Sequence, residues 1–109
     1  MVKAVQFPVP PEVAFDYLVD PVNRPDWQSS LRSVEKVDGA PRVGQTWVDV
    51  TMPGLRPAMR TTLLERPLRW TEVGTWHGIA AELTLDFAAY GTDTLVTPTF
   101  EVTGRGPAA

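Results

Sequence analysis

Cysteine is absent from the 109 residues, which removes disulfides, thiolate nucleophiles and most structural zinc sites. Histidine occurs once, at His77, so a histidine-based dyad and a multi-histidine metal site are both set aside. No apolar run approaches the roughly 20 residues that cross a bilayer. The opening Met1-Val2-Lys3-Ala4-Val5 lacks the long apolar core of a signal peptide. Positive charge is not in surplus either. Lys+Arg number 10 against 13 Asp+Glu, a formal charge of -3, and the basic residues are scattered rather than striped. Phosphate binding needs a concentrated basic footprint, so nucleic acid is not an expected partner. The expectation is a cytoplasmic protein with no membrane insertion, no metal and no cofactor. At 43% hydrophobic composition the chain holds one domain's worth of core and no more.

What is present divides into one helical stretch and a long series of strands. Val2 to Phe7 reads as a short strand stopped by Pro8, Pro10 and Pro11. A helix follows, with Pro11 and Glu12 suited to its first turn. Val13, Ala14, Tyr17 and Leu18 form its apolar side, with Phe15 flanking. Asp20 before Pro21 ends it, because a residue preceding proline is pushed out of the helical region. Val22 to Ser30 reads as an irregular helical turn or loop containing Trp27. From there the period is two, with strands over Leu31 to Val37, Thr46 to Met52, Arg60 to Glu65, Leu68 to Thr75, Ile79 to Phe87 and Thr94 to Val102. Short turn segments separate them, which favours an antiparallel meander. Pro98 points to a bulge or an edge in the last strand. The tail from Gly104 to Ala109 is too short to be an element.

The order of these pieces carries a resemblance. Phe-Asp-Tyr-Leu in the helix, Asp20-Pro21, Pro25-Asp26-Trp27, Asp38-Gly39, Val43-Gly44, Glu65-Arg66-Pro67-Leu68-Arg69-Trp70 and Leu83-Thr84-Leu85-Asp86-Phe87 follow one another as in the START-like, or helix-grip, superfamily. The branch they resemble most is that of small bacterial polyketide cyclase/dehydrase (SRPBCC) proteins, and the resemblance covers nearly the whole chain. It implies an α+β fold: a strongly curved antiparallel sheet of about six to seven strands with short N-terminal helices. It also implies an apolar cavity for lipids, polyketides or other hydrophobic small molecules. The family's long C-terminal helix is expected to be absent, since residues 1–109 read as a single START-like domain that stops where that helix would begin. An uncovered concave face bearing Val48, Val50, Leu83, Leu85, Phe87, Val96 and Phe100 favours a homodimer that buries it.

Few residues suit chemistry. Glu72 shares strand parity with Trp70, so if Trp70 turns inward the carboxylate follows into an apolar pocket, where desolvation raises its pKa. That makes it the best catalytic candidate, although a surface glutamate opposite Arg60 or Arg69 is the commoner outcome. His77 is the second candidate. An unbroken strand through Ile79 would aim it at the cavity, whereas its place beside Gly78 favours a solvated loop. Asp49 and Glu101 alternate with cleaner apolar faces and are expected to point outward, and Arg56 and Arg60 to remain solvated. Trp27, Trp47, Trp70 and Trp76, with Tyr17, Met52, Met59 and Phe87, could wall a planar ligand, but core packing claims at least two of the tryptophans. Trp27 is expected to cap the core, and Trp76 to sit at the cavity mouth. The leading reading is a module that binds a hydrophobic or aromatic molecule. The alternatives are a cyclase or dehydratase using Glu72 or His77, and a non-catalytic interaction domain.

Overall fold

The computed structural model describes residues 3–104. The expected strand start at Val2 and the expected structureless tail from Arg105 lie outside them. Strand β1 spans Val5–Phe7, helix α1 Pro11–Leu18 and helix α2 Arg24–Trp27, the two helices linked by a 3₁₀ turn at Pro21–Asn23. Six further strands follow: β2 Leu31–Glu35, β3 Thr46–Thr51, β4 Ala58–Glu65, β5 Arg69–Trp76, β6 Ile79–Tyr90 and β7 Asp93–Thr103. They form one antiparallel sheet in the order β1-β7-β6-β5-β4-β3-β2. Its edges are β1 and β2, and it does not close into a barrel. This is the α+β class and curved meander that the sequence implies. Among the described residues no helix follows β7.

Local chemistry explains the element ends. Pro11 opens α1 where a missing N–H is harmless, with Glu12 in the first turn. The Asp20 carboxylate then accepts from the Val22 N–H at 3.1 Å and starts the 3₁₀ turn. The buried face of α1 is Ala14, Phe15 and Leu18, while Val13 and Tyr17 are exposed. The apolar side is therefore rotated from the expected one, because the i, i+4 pair Ala14/Leu18 with Phe15 meets the sheet. Strand β2 ends early because Lys36 adopts a positive φ of 54°. His77 and Gly78, at φ 48° and 80°, make a two-residue turn between the paired Trp76 and Ile79. Two positive φ values in succession are the tight hairpin geometry that matches strand twist.

Two register irregularities shape the inner face. In β4 the pairing shifts between Thr61 and Leu63, so Met59 and Thr61 face inward on one parity and Leu64, opposite Trp70, on the other. A second shift lies between Leu31 and Ser33. Strand β7 is not the edge, since β1 pairs with Thr94 to Val96. Beyond that short pairing β7 has β6 alone as its neighbour, which is where Pro98 lies. The core gathers Ala14, Phe15, Leu18 and Val19 against Trp47, Met59, Trp70, Leu85, Phe87 and Val96. Phe15 and Phe87 meet with ring centroids 5.0 Å apart. The helices thus cover one end of the inner face. The other end, carrying Trp76, Ile79, Phe100 and Val102, has no element over it among the described residues.

Candidate functional site

Helix α2 is a single turn, and it brings one charged side chain into the protein. Arg24 is 1% exposed. Its guanidinium lies 5.0 Å from the Trp27 ring centroid and 5.6 Å from that of Trp70, a cation over two indole faces. Nη2 donates to Oε1 of Glu72, and Nη1 donates to Oε1 of Gln28 at 3.0 Å. Asp49 Oδ2 lies 3.8 Å from Nη1, an ion pair without a hydrogen bond. The Nε–H of Arg24 and the Nε1–H of Trp27 have no acceptor among the described residues.

The two carboxylates come from β5 and β3. Glu72 and Asp49 are each 4% exposed. Glu72 follows Trp70 inward by the two-residue period, and Trp70, fully buried, donates to the Thr61 hydroxyl at 3.3 Å. Trp47 and Asp49 share the inner face in the same way, with the indole Nε1–H donating to Asp49 Oδ1 at 2.9 Å. Burial pushes the Glu72 carboxyl up, against the pull of the Arg24 charge and hydrogen bond; the Asp49 charge adds to the rise. Burial likewise raises Asp49, opposed by Arg24 and by the Trp47 hydrogen bond. Two carboxyls therefore share one guanidinium in a largely buried site.

A cavity of about 200 Å³ opens beside this cluster. Arg24, Gln28, Asp49 and Glu72 form its polar floor, and Met59, Trp76, Ile79, Ala81 and Phe100 its apolar walls. Gly74 adjoins Met59, whose thioether packs into the space a Cβ would take. A larger hollow of about 430 Å³ lies elsewhere, lined by Lys36, Val48, Ala58, Arg60, Thr62 and Val73. It has the greater volume but no buried charged group, so the smaller cavity is the better candidate site.

The residues singled out from sequence scatter across these surroundings. Glu72 is inside rather than on the surface, because Arg60 pairs with Val73 on the opposite face and Arg69 binds Asp86 at 2.6 Å. Asp49 is inside too, contrary to expectation. By the same parity Val48 and Val50 lie on the other face from Trp47 and Asp49, not on the concave one. His77 sits at the hairpin tip and does not line the cavity; its ring stands edge-on to Trp76 at 4.4 Å. Tyr17 is exposed and donates to Asp26 at 3.0 Å, and Met52 is exposed beside the β3 to β4 connection. Trp27 packs against the core, while Trp70, Leu85 and Phe87 lie within it and Leu83 borders it. Of the residues weighed from sequence, Asp49, Met59, Glu72, Trp76 and Phe100 line the cavity. Arg56 pairs with Glu35 on the surface, and Glu101 is exposed as expected. Arg24 escaped sequence reading altogether, since a one-turn helix has no periodicity to reveal its buried side.

Among the described residues no three His, Cys, Asp or Glu side chains are grouped to hold a metal ion. No helix among the described residues is long and apolar enough to cross a membrane. The family described as "Polyketide cyclase / dehydrase and lipid transport" matches residues 1–109. No curated protein matches the chain. Solved structures of similar fold include a START superfamily protein from Mycobacterium smegmatis, with a TM-score of 0.73 at 11% identity over 98% of this chain and 78% of that one. Protein BH1534 from Bacillus halodurans gives 0.72 at 17% identity, over 97% and 70%. CalU16 from Micromonospora echinospora gives 0.66 at 17%, over 95% of this chain and 60% of its own length. At these identities the likeness speaks for the fold alone.

Proposed function

The chain belongs to the polyketide cyclase/dehydrase and lipid transport family, and from that premise we propose that it binds a small hydrophobic or aromatic molecule in the inner-face cavity. Family membership supports hydrophobic ligand binding in general. The observation that carries the reading to this place is the pairing of apolar walls with a buried Arg24, Asp49 and Glu72 floor. Burying three charged groups gives little net stability, so their retention beside a cavity points to ligand orientation. The apolar body rests against Trp76, Ile79 and Phe100, and its polar end meets the floor. A catalytic version in which Glu72 and His77 share proton transfer is less favoured, because His77 does not line the cavity.

Gly74→Ala tests the location. A Cβ there would fall 2.6 Å from Sδ and 3.0 Å from Cε of Met59, forcing the thioether tip aside in the cavity wall. The expected result is about tenfold weaker binding of 1-naphthalenemethanol, followed by tryptophan fluorescence, which corresponds to about 1.4 kcal/mol. Overpacking of this kind costs about 1–3 kcal/mol of stability. Unchanged affinity in the folded variant would place the ligand elsewhere.

The reading extends to a cytoplasmic homodimer. A cysteine-free chain needs no oxidising compartment. Phe100 is 62% exposed, and with Ile79 and Val102 it forms an apolar strip at the cavity mouth. A second copy seated there would lid the cavity. Native mass spectrometry is expected to give a dimer mass for the wild type and a monomer for Phe100→Asp; a wild-type monomer at micromolar concentration would rule this part out.

A further inference from the structure

We propose that the inner-face cavity selects ligands whose polar head is a cation rich in N–H donors, an ammonium or amidinium carried on an apolar body. This deepens the binding reading and rests on it. Three charged groups line the cavity, Arg24 from α2, Asp49 from β3 and Glu72 from β5. The remaining walls, Gln28, Ser30, Leu31, Thr51, Pro57, Met59 and the residues of β5 to β7, are uncharged. With both carboxyls ionised the floor is one negative charge out of balance, in surroundings where such an imbalance is weakly screened.

Hydrogen bonding points the same way. Arg24 spends one N–H of Nη2 on Glu72 and one of Nη1 on Gln28. Asp49 Oδ1 accepts from Trp47 and Glu72 Oε1 from Arg24. Glu72 Oε2 accepts no hydrogen bond from the described residues, and Asp49 Oδ2 has only the 3.8 Å ion pair. Two acceptor oxygens on side chains at least nine-tenths buried are thus left for a donor. An incoming carboxylate would be repelled by these oxygens. Burial raises both carboxyls, so a partner that brings positive charge favours their ionised forms. With an ammonium bound, the cluster holds two positive and two negative charges. The competing feature is Arg24, whose Nε–H has no acceptor and whose two Nη groups each spend one N–H of two, donors that would suit an oxygen-bearing head instead.

Three probes of one shape decide between them: 1-naphthylmethylamine, 1-naphthalenemethanol and 1-naphthoate, titrated calorimetrically at neutral pH. The amine is expected to bind about tenfold or more tighter than the alcohol, with naphthoate weakest. Asp49→Asn should erase the preference for the amine over the alcohol, whatever its effect on the affinity for each. Equal binding of all three, or tightest binding of naphthoate, overturns cation selection and leaves the apolar-cavity reading standing. Binding of none of them overturns both.

Discussion

Arg24→Met is expected to cost about 3–5 kcal/mol at neutral pH, since it strands two buried carboxylates without their cation. For a domain of this size each kcal/mol moves Tm by about 4–8 °C, so the variant should melt at least about 12 °C lower. The loss has a pH signature. A carboxyl whose pKa in the fold lies above its unfolded value binds more protons native than unfolded. Its contribution to stability is therefore fullest below the ordinary carboxylate range and falls as pH rises through the raised value. Glu72 and Asp49 are both raised in the intact protein, with Arg24 holding them down against burial. Removing Arg24 pushes them higher, so the deficit should be large at pH 8 and shrink toward pH 4, where neutral carboxylic acids tolerate burial. Urea unfolding across that range measures it. The triple change Arg24→Met, Asp49→Asn, Glu72→Gln, which removes every charge from the cluster, should recover much of the loss. A deficit of constant size across pH would mean that Arg24 contributes packing against the two indoles rather than charge balance.

Trp70→Ala is expected to cost about 3–5 kcal/mol, the range for emptying a large aromatic site from a close-packed core. Trp70 is fully buried, donates to Thr61 and lies under the Arg24 guanidinium. Trp70→Phe should lose less, keeping most of the volume but leaving the Thr61 hydroxyl without its donor, a penalty of about 1–3 kcal/mol. Trp76→Ala gives the contrast. Trp76 is partly exposed at the cavity wall, so its loss should weaken naphthyl probe binding while changing stability by no more than about 1 kcal/mol. Denaturant melts and probe titrations on the same three proteins separate core from site. If Trp76→Ala destabilised as much as Trp70→Ala, the cavity wall would be part of the core. Arg24 and Trp70 touch, so their losses should not add.

The architecture was legible from periodicity and punctuation. Pro11, Glu12 and Asp20-Pro21 bound the helix, and clean alternation along β6 set Ile79, Ala81, Leu83, Leu85 and Phe87 against Glu82, Thr84 and Asp86, as the pairing with β5 and β7 bears out. Glu72 could be placed once Trp70 was, because parity is a covalent property of a strand. Strand β3 resisted the same logic. Trp47, Val48, Asp49 and Val50 are apolar on both parities but for one aspartate, so the cheaper assignment put Asp49 outside. What reverses it is Arg24, supplied by a helix far away in sequence whose position is a tertiary outcome. The slip at Thr61/Leu63 was hidden for a related reason: one extra residue exchanges the two faces in mid-strand, and composition barely registers it. The cavity, likewise, is lined from α2, β3, β5, β6 and β7 together and not by any motif.

The pairing of β1 with β7 bears on how the molecule comes into being. Val5 to Phe7 hydrogen-bond opposite Thr94 to Val96, Thr94 donates to the Val9 carbonyl, and α1 packs on β6 and β7. An eight-residue helix is marginal by itself in water. Residues Val5 to Leu18 thus gain their strand partner and their β6 and β7 contacts only once the β6–β7 hairpin has formed. The β2 to β5 meander can assemble meanwhile. Until then the Phe15 ring lacks its Phe87 partner, and this apolar face is where a chaperone, or a second unfolded chain, would find the protein first.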